Sequence, residues 1–158
     1  MFRYTPQMTL DRKFGRRQGK ENGNYDQFWG VSLQSDGRIV IGGYNVKRYW
    51  ANGRLDSVFS PIAFSNVNLK IDSIAEGQNG RLIGCGTLNT STSSDVAIVL
   101  FDEQGGSIGT DIQNFARLEY CNSILVQPDN KILMFGQVGS GVTLNGKIFI
   151  VRYLDITP

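Results

Sequence analysis

The chain has 158 residues, of which 41% are hydrophobic, and a formal net charge of +2 at pH 7. This length suits a single domain with a sizeable core, and the composition excludes a disordered or collagen-like protein. The net charge is too small to favour a nucleic-acid partner. The sequence contains no His, and its two Cys residues form no zinc-finger pattern, so we predict neither a metal nor another cofactor.

The first residues, MFRYTPQMTLDRKFG, carry charges where a secretory signal peptide needs an apolar segment. We therefore expect cytoplasmic synthesis without export. No window approaches the roughly 18 consecutive apolar residues of a membrane-spanning helix, so we expect no membrane partner.

The first predicted element is a strand near residues 2–5, at the start of the phrase RYTPQMTLDRKF that runs from Arg3 to Phe14. An N-terminal strand of this kind can pair with the last repeat of its own chain or with a neighbouring copy. We expect its aromatic side chains to form an edge-strand interface that consists of Phe2, Tyr4 and Phe14.

A polar loop follows, GRRQGKENGNYDQFWG, in which basic side chains precede aromatic ones. Basic and aromatic residues together can bind single-stranded nucleic acid or a sugar. A solvated loop that leads into a core strand is the simpler explanation of the same residues. The candidate interaction surface of the chain is nevertheless here, at Arg16, Arg17, Lys20, Tyr25 and Trp29.

A hairpin is predicted next, with strands near 28–34 and 38–43. Apolar residues alternate on both sides of Asp36-Gly37, and Asp-Gly between two such runs is a strong hairpin signal. A strand near 46–50 then opens the phrase RYWANGRLDSVF. Gly37 and Gly53 should adopt a positive φ in two tight turns, where an ordinary side chain would be strained.

Both phrases return along the chain. The hairpin phrase ends in Gly43, Gly86 and Gly136, which gives steps of 43 and 50 residues. A period in this range is typical of a supersecondary unit that is repeated as blades or solenoid coils. The further predicted strands lie near residues 71–76, 81–85, 96–101, 121–127, 131–136 and 148–153.

The two phrases carry a family resemblance. LQSDGRIVIGG followed by RYWANGRLDSVF resembles the delta-60 repeat, a β-propeller-like repeat of bacterial and phage proteins. The resemblance implies an all-β domain of antiparallel hairpin blades and no catalytic motif. We therefore expect one three-repeat β-propeller-like domain over residues 1–158, with repeat units near 28–60, 71–115 and 121–158 and a partial repeat at 2–14.

Charged residues recur within the second phrase. Arg3, Arg48 and Arg152 share one repeat position, and Asp11 and Asp56 share another. A structural ion pair or hydrogen bond inside each repeat explains the Arg residues better than ligand binding does.

Three residues depart from the repeat or invite chemistry. Glu76 occupies a slot that is apolar in the other repeats, so its carboxylate should be paired or exposed, and we expect that it is not catalytic and tolerates Gln. Cys85 and Cys121 fall on strands with apolar neighbours. We expect them to be small buried hydrophobes, and the spacing alone leaves a disulfide open.

The number of repeats raises a question of assembly. Three hairpins accompany four segments that resemble RYTPQMTLDRKF, which begin at Arg3, Arg48, Leu100 and Val151. Typical propellers need four to eight blades to close. Either the chain forms an unusually small closed ring, or copies associate and cover the strand edges that an open arc would expose. We predict an assembly.

Three classes of function fit these features. We predict a non-enzymatic structural or protein-interaction module, such as a phage tail or capsid accessory component that is incorporated into a virion. A carbohydrate-binding module with a glycan ligand is the alternative, because aromatic residues flank polar loops. A glycoside hydrolase on a propeller is the third, and the absence of His and of an ordered carboxylate pair disfavours it.

Overall fold

The fold of the chain is all-β, as predicted. The structure, a computed structural model, describes residues 2–15, 27–60, 64, 68–115, 118–139 and 147–154. Within these ranges the chain forms ten strands and one three-residue 3-10 turn at Gln78–Gly80. None of the described segments is a helix long and apolar enough to cross a membrane.

The strands form three consecutive antiparallel meanders. The first meander contains β1 (Phe28–Leu33), β2 (Ile39–Gly43) and β3 (Lys47–Tyr49). The second contains β4 (Leu69–Glu76), β5 (Leu82–Asn89), β6 (Ser94–Phe101) and β7 (Ser107–Gln113). The third contains β8 (Leu118–Val126), β9 (Ile132–Gly139) and β10 (Lys147–Tyr153). A single parallel residue pair, Ser94 with Leu118, joins the second and third meanders into one seven-stranded sheet.

The predicted turns have the expected backbone. Gly37 lies between β1 and β2 with a φ of 85°, and Gly53 follows β3 with a φ of 81°. Both angles are in the left-handed region that glycine adopts at little cost. Gly53 is constrained twice, because a Cβ there would also contact the ring of Phe14 at 2.8 Å.

The glycine that ends each hairpin phrase has a packing reason. Gly43, Gly86 and Gly136 each lie opposite the residue that precedes a β-bulge in the first strand of their meander, which is the inner strand (β1, β4 or β8). A Cβ on any of them would overlap a backbone carbonyl oxygen of that inner strand, namely that of Gln27, Lys70 or Tyr120. The period in the sequence therefore marks one bulge that occurs three times.

The core lies between the meanders, in two clusters. Leu82, Val99 and Phe101 of the second meander pack against the first meander. The alternate residues of the same strands, including Ile83 and Ile98, pack against the third meander. Because its two faces are both covered, the second meander has unbroken buried runs in β5 and β6.

Two details of the strand prediction need correction. The strand expected near residues 2–5 is reduced to one bridge, between Tyr4 and Leu10. β7 was not predicted, because its sequence SIGTDIQ has few apolar residues and is mostly exposed on the outer edge of the second meander. Neither described sheet closes on itself, so the observed architecture is three antiparallel meanders in sequence.

Candidate functional site

Trp29 is the part of the predicted interaction surface that the structure describes. Arg16, Arg17, Lys20 and Tyr25 lie outside the described residues. Trp29 occupies the bulge of β1, and its side chain is 45% exposed. Its ring meets Tyr44 edge-on at 5.5 Å, and the Lys70 ammonium lies 4.8 Å from the ring centroid.

The bulge position brings polar groups next to Trp29. The residue equivalent to Trp29 is Asp72 in β4 and Asn122 in β8. The Asp72 carboxylate accepts a hydrogen bond from the Thr87 hydroxyl at 2.6 Å. It also forms an ion pair with the Lys70 ammonium at 2.8 Å. An exposed indole with an ammonium and a carboxylate nearby is able to stack on an apolar ring face and bond to hydroxyl groups at its rim.

The cluster around Trp29 was only partly visible in the sequence. Lys70 and Asp72 come from another repeat and reach Trp29 because β1 and β4 are neighbours. Equivalence of the three bulges was the available signal, since Trp29, Asp72 and Asn122 align once the hairpin glycines are superposed. Within the described residues, no group of three His, Cys, Asp or Glu side chains could hold a metal ion.

The predicted edge-strand residues do not share one environment. Phe2 and Tyr4 are exposed, whereas Phe14 is buried. The Arg3 guanidinium lies 4.5 Å from the Phe14 ring, and a Cβ on Gly53 would touch the same ring. Phe14 therefore lies inside the subunit, and an edge interface would contain Phe2 and Tyr4 without it.

Residues 2–15, the N-terminal corner, repeat the contacts of residues 48–60. In the N-terminal corner, Arg3 pairs with Asp11 and donates to the carbonyl of Ala51 at 2.8 Å. In the later copy, Arg48 pairs with Asp56 and donates to the carbonyl of Glu103 at 2.9 Å. The predicted intra-repeat ion pair is confirmed at both places.

Residues 48–60 contact the second meander in the same way that the N-terminal corner contacts the first meander. Gly15 donates its backbone N–H to Asn52, and Ser60 donates to the equivalent Gln104. Arg152 has a different set of partners, because it contacts Gln127 and Asp129.

The third meander has an uncovered apolar side, which we name the tail face. Its residues share one side of β8, β9 and β10, and Ile148 and Ile150 are 74% and 69% exposed. Register places Phe135 opposite Ile150, and the repeat makes them equivalent to Cys85 and Ile98. The tail face consists of Leu125, Leu133, Phe135, Ile148 and Ile150.

The first meander has the complementary uncovered side, which we name the head face. It consists of Val31, Leu33, Ile39 and Ile41, with Val31 opposite Ile41 and Leu33 opposite Ile39. Val31 is 70% exposed, whereas its equivalent in the second meander, Ile74, is in the core.

Cys85 and Cys121 form a disulfide, which corrects the expectation of two separate buried thiols. Their Cα atoms are 6.1 Å apart, within the usual range for a disulfide. The bond links β5 to β8 and lies inside the cluster between the second and third meanders. Buried apolar surroundings were predicted correctly, but the proximity of the two strands was not.

The Glu76 carboxylate is hydrogen-bonded, as expected for a charge that is partly removed from water. Its carboxylate accepts hydrogen bonds from the side-chain amide of Gln34 at 3.1 Å and from the backbone N–H of Ser35 at 2.6 Å. These contacts attach the β1–β2 turn to the second meander. That Glu76 is not catalytic stays a prediction.

Comparison with known proteins yields a likeness of fold. No family model and no curated protein matches the chain. Among solved structures, the chain is similar to the PQQ-bound form of aldose sugar dehydrogenase from Streptomyces coelicolor, with a TM-score of 0.50 and 16% sequence identity. The match covers 80% of this chain and 45% of that chain, so this chain spans less than half the length of the dehydrogenase.

This likeness contradicts the prediction that the chain is not an enzyme. The similar structure is a β-propeller enzyme, so the absence of a familiar catalytic motif is no ground for excluding catalysis on this fold. At 16% identity the likeness extends to the fold alone, and no residue role is transferred from the dehydrogenase.

Proposed function

We propose that this chain is a structural or protein-interaction module of the delta-60 repeat type, in which each meander is one blade of a β-propeller-like assembly. In this proposal the chain acts as a rigid body that binds other protein surfaces through its side faces. A phage tail or capsid accessory component is the role that fits this behaviour and the family resemblance.

The exposure of the head and tail faces is the observation that carries the proposal. Ile83, Cys85, Val96 and Ile98 are buried against the third meander. Their equivalents on the tail face are only partly buried or exposed, with Ile148 74% exposed and Phe135 49% exposed. Apolar patches of this kind usually mark protein–protein contacts, and complete burial of each Leu, Ile or Phe would contribute roughly 1.5–3 kcal/mol.

The pattern of contacts supports the blade interpretation. The first strands of the meanders are spatial neighbours, with β1 against β4 and β4 against β8. Each meander then runs outward in chain order, and consecutive meanders pack face to face. The similar dehydrogenase, a β-propeller, is matched over less than half of its chain, which supports an arc of blades rather than a whole ring.

Cross-linking in native particles tests the proposed role. Lys147 adjoins tail-face residue Ile148, and Lys47 lies opposite head-face residue Ile41. Amine-reactive cross-linking of purified virions, followed by mass spectrometry, should connect these two lysines to a capsid protein, a tail protein or another copy. Virions that contain the chain but yield no cross-link from Lys147 or Lys47 would contradict the proposal.

Trp29 supports a second candidate function, binding of a carbohydrate. The supporting observation is the exposed indole beside Lys70 and Asp72, which supplies a stacking surface with both charged and polar partners. The ligand class would be a glycan with an apolar sugar face and hydroxyl groups at its rim.

A matched pair of variants tests this second function. A glycan array should identify a ligand for the unaltered protein, and Trp29→Ala should reduce its binding at least about fivefold, since one stacking contact corresponds to about 1–3 kcal/mol. Trp50→Ala is the control, because Trp50 is 46% exposed and has no part in the cluster. Equal binding by both variants, or no glycan bound by the unaltered protein, would exclude this candidate.

A further inference from the structure

We infer that the head face of a second copy of this chain covers the tail face, so that two copies pack head to tail and close one ring. The inference rests on the proposed function, because it names the partner of the same two faces. Its starting point is that the chain contains the required contact twice already, between its first and second and between its second and third meanders.

The two open faces are the two halves of that internal contact. Ile150 and Ile148 occupy the positions of Ile98 and Val96, which pack against the third meander. Val31 and Ile39 occupy the positions of Ile74 and Leu82, which pack against the first. A tail face therefore fits a head face by the same geometry that joins consecutive meanders.

The number of blades favours two copies. The described residues of one chain form three meanders, so two chains supply six, which lies within the four to eight blades of typical propellers. Three copies would exceed that range. The match to 45% of the β-propeller dehydrogenase agrees with this count, because two such bodies account for about one chain of that length. A head-to-tail contact that closes after two copies gives a finite particle instead of a filament.

The N-terminal corner has a defined place in the pair. By its contacts with Ala51 and Asn52, it occupies the outer edge of a meander that would precede the first. In the pair, that preceding meander is the third meander of the partner subunit. The N-terminal corner of one copy therefore completes the outer edge of the other.

In the pair, the last strand of one copy has to displace the first residues of the other copy. Phe2–Tyr4 and Val151–Tyr153 are equivalent in the repeat, so only one of them can occupy the shared strand position. β10 keeps it, because β10 pairs with β9 along seven residues, whereas the described pairing of Tyr4 is a single bridge. Arg152 of the second copy then replaces Arg3 beside Asp11.

Three single variants and one mixture test the head-to-tail pair by sedimentation velocity at micromolar concentration. Val31→Asp places a charge on the head face, Ile150→Asp places one on the tail face, and Ile112→Asp, on β7, places one on neither. All three side chains are at least half exposed, so each variant should keep the circular dichroism spectrum of the unaltered chain.

The unaltered chain and Ile112→Asp should sediment at twice the chain mass of 17.5 kDa. Val31→Asp alone and Ile150→Asp alone should sediment at the single-chain mass, because every contact in each homogeneous sample contains a charged face. Their equimolar mixture should recover a two-chain species, since the intact tail of the first variant can bind the intact head of the second. Deletion of residues 1–4 should leave pairing intact or strengthen it.

Several outcomes would overturn the inference. The first is an unaltered chain that is monomeric. The second is a pair that still forms in Val31→Asp alone or in Ile150→Asp alone, and the third is a mixture of these two variants that does not associate. The proposed function fails separately: if the chain is single in solution but Lys147 cross-links to a different virion protein, the second-copy inference falls and the interaction module stands. If virions give no cross-link at either face, the proposed function falls as well.

Discussion

The Arg48 guanidinium donates a hydrogen bond to the Asp56 carboxylate at 2.7 Å inside the protein, where the two side chains are only 5% and 1% exposed. The same pair in the N-terminal corner, Arg3 with Asp11, has side chains that are 46% and 20% exposed. Both Arg residues also lie over an aromatic ring, at 4.5 Å from Phe14 for Arg3 and at 4.4 Å from Phe59 for Arg48. The repeat therefore presents one arrangement at two depths of burial.

The two depths predict unequal effects of one substitution. Arg48→Met should lower the free energy of unfolding by about 3–5 kcal/mol, because it leaves the Asp56 carboxylate buried without its partner. Arg3→Met removes the exposed copy and should cost much less, because solvent screens an exposed ion pair. Urea denaturation of the two variants measures both values, and equal losses would contradict the assigned role of burial.

Asp11 should report the Arg3 contact through its acidity. The hydrogen bond from the Arg3 guanidinium holds the pKa of the Asp11 carboxyl below its ordinary value of 3.8. Because the folded-state pKa is lowered, the contact stabilises the fold fully above the unfolded pKa and is lost as the pH falls through the folded pKa. In the Val31→Asp chain, which should stay monomeric and therefore keep Arg3 beside Asp11, Arg3→Met should raise the pKa of Asp11 in a carbon-detected NMR titration.

Asp129 provides the internal reference for that titration. Its pKa is also lowered, chiefly by the hydrogen bond from Lys131, which does not contact Arg3. The Asp129 titration should be the same in the monomeric Val31→Asp chain with and without Arg3→Met. A shift of both carboxyls would indicate a general change of fold instead of a lost contact.

The recurring glycine should not tolerate a methyl group. Gly43→Ala should lower the free energy of unfolding by about 1–3 kcal/mol, because the added Cβ overlaps the Gln27 carbonyl oxygen and the backbone has to shift. Gly109→Ala is the matched control on β7, where the added Cβ meets only Leu100 at ordinary contact distance, 3.5 Å and beyond. Thermal unfolding of the two variants distinguishes them, and similar melting temperatures would refute the proposed reason for the repeat glycine.

The disulfide should stabilise the contact between the second and third meanders. Cys85 and Cys121 close a loop of 36 residues, so the Cys85→Ala, Cys121→Ala double variant should lose about 2–4 kcal/mol of unfolding free energy. A thiol assay under denaturing conditions should detect no free thiol in the unaltered protein. Reductant should destabilise the unaltered protein and have no effect on the double variant, and a thiol-positive sample would contradict the bond.

Local signals in the sequence were sufficient for the hairpins. Asp36-Gly37 and the alternating apolar residues around it specify a turn and two strands without reference to the rest of the chain. β7 could not be predicted in the same way, because an outer strand with one solvated side has little apolar periodicity. The N-terminal corner resembles a strand in its residues, but its described ladder pairing is one bridge, between Tyr4 and Leu10.

The sequence did not predict the contacts between repeats. Alternation in β9 shows that Met134 and Phe135 point to opposite sides, but only packing shows that Met134 is buried and Phe135 is half exposed. The approach of Lys70 to Trp29 and of Cys85 to Cys121 likewise depends on which meanders are neighbours. The open faces belong to the first and third of the described meanders, whereas both sides of the second are covered.

Small-angle X-ray scattering of the unaltered chain tests the central claim, that the exposed side faces are blade contacts which a second copy completes. The account predicts a particle of twice the 17.5 kDa chain mass with a radius of gyration of about 20 Å, the size expected for a compact body of two chains. A particle of single-chain mass with a radius of about 15 Å at every concentration would contradict it.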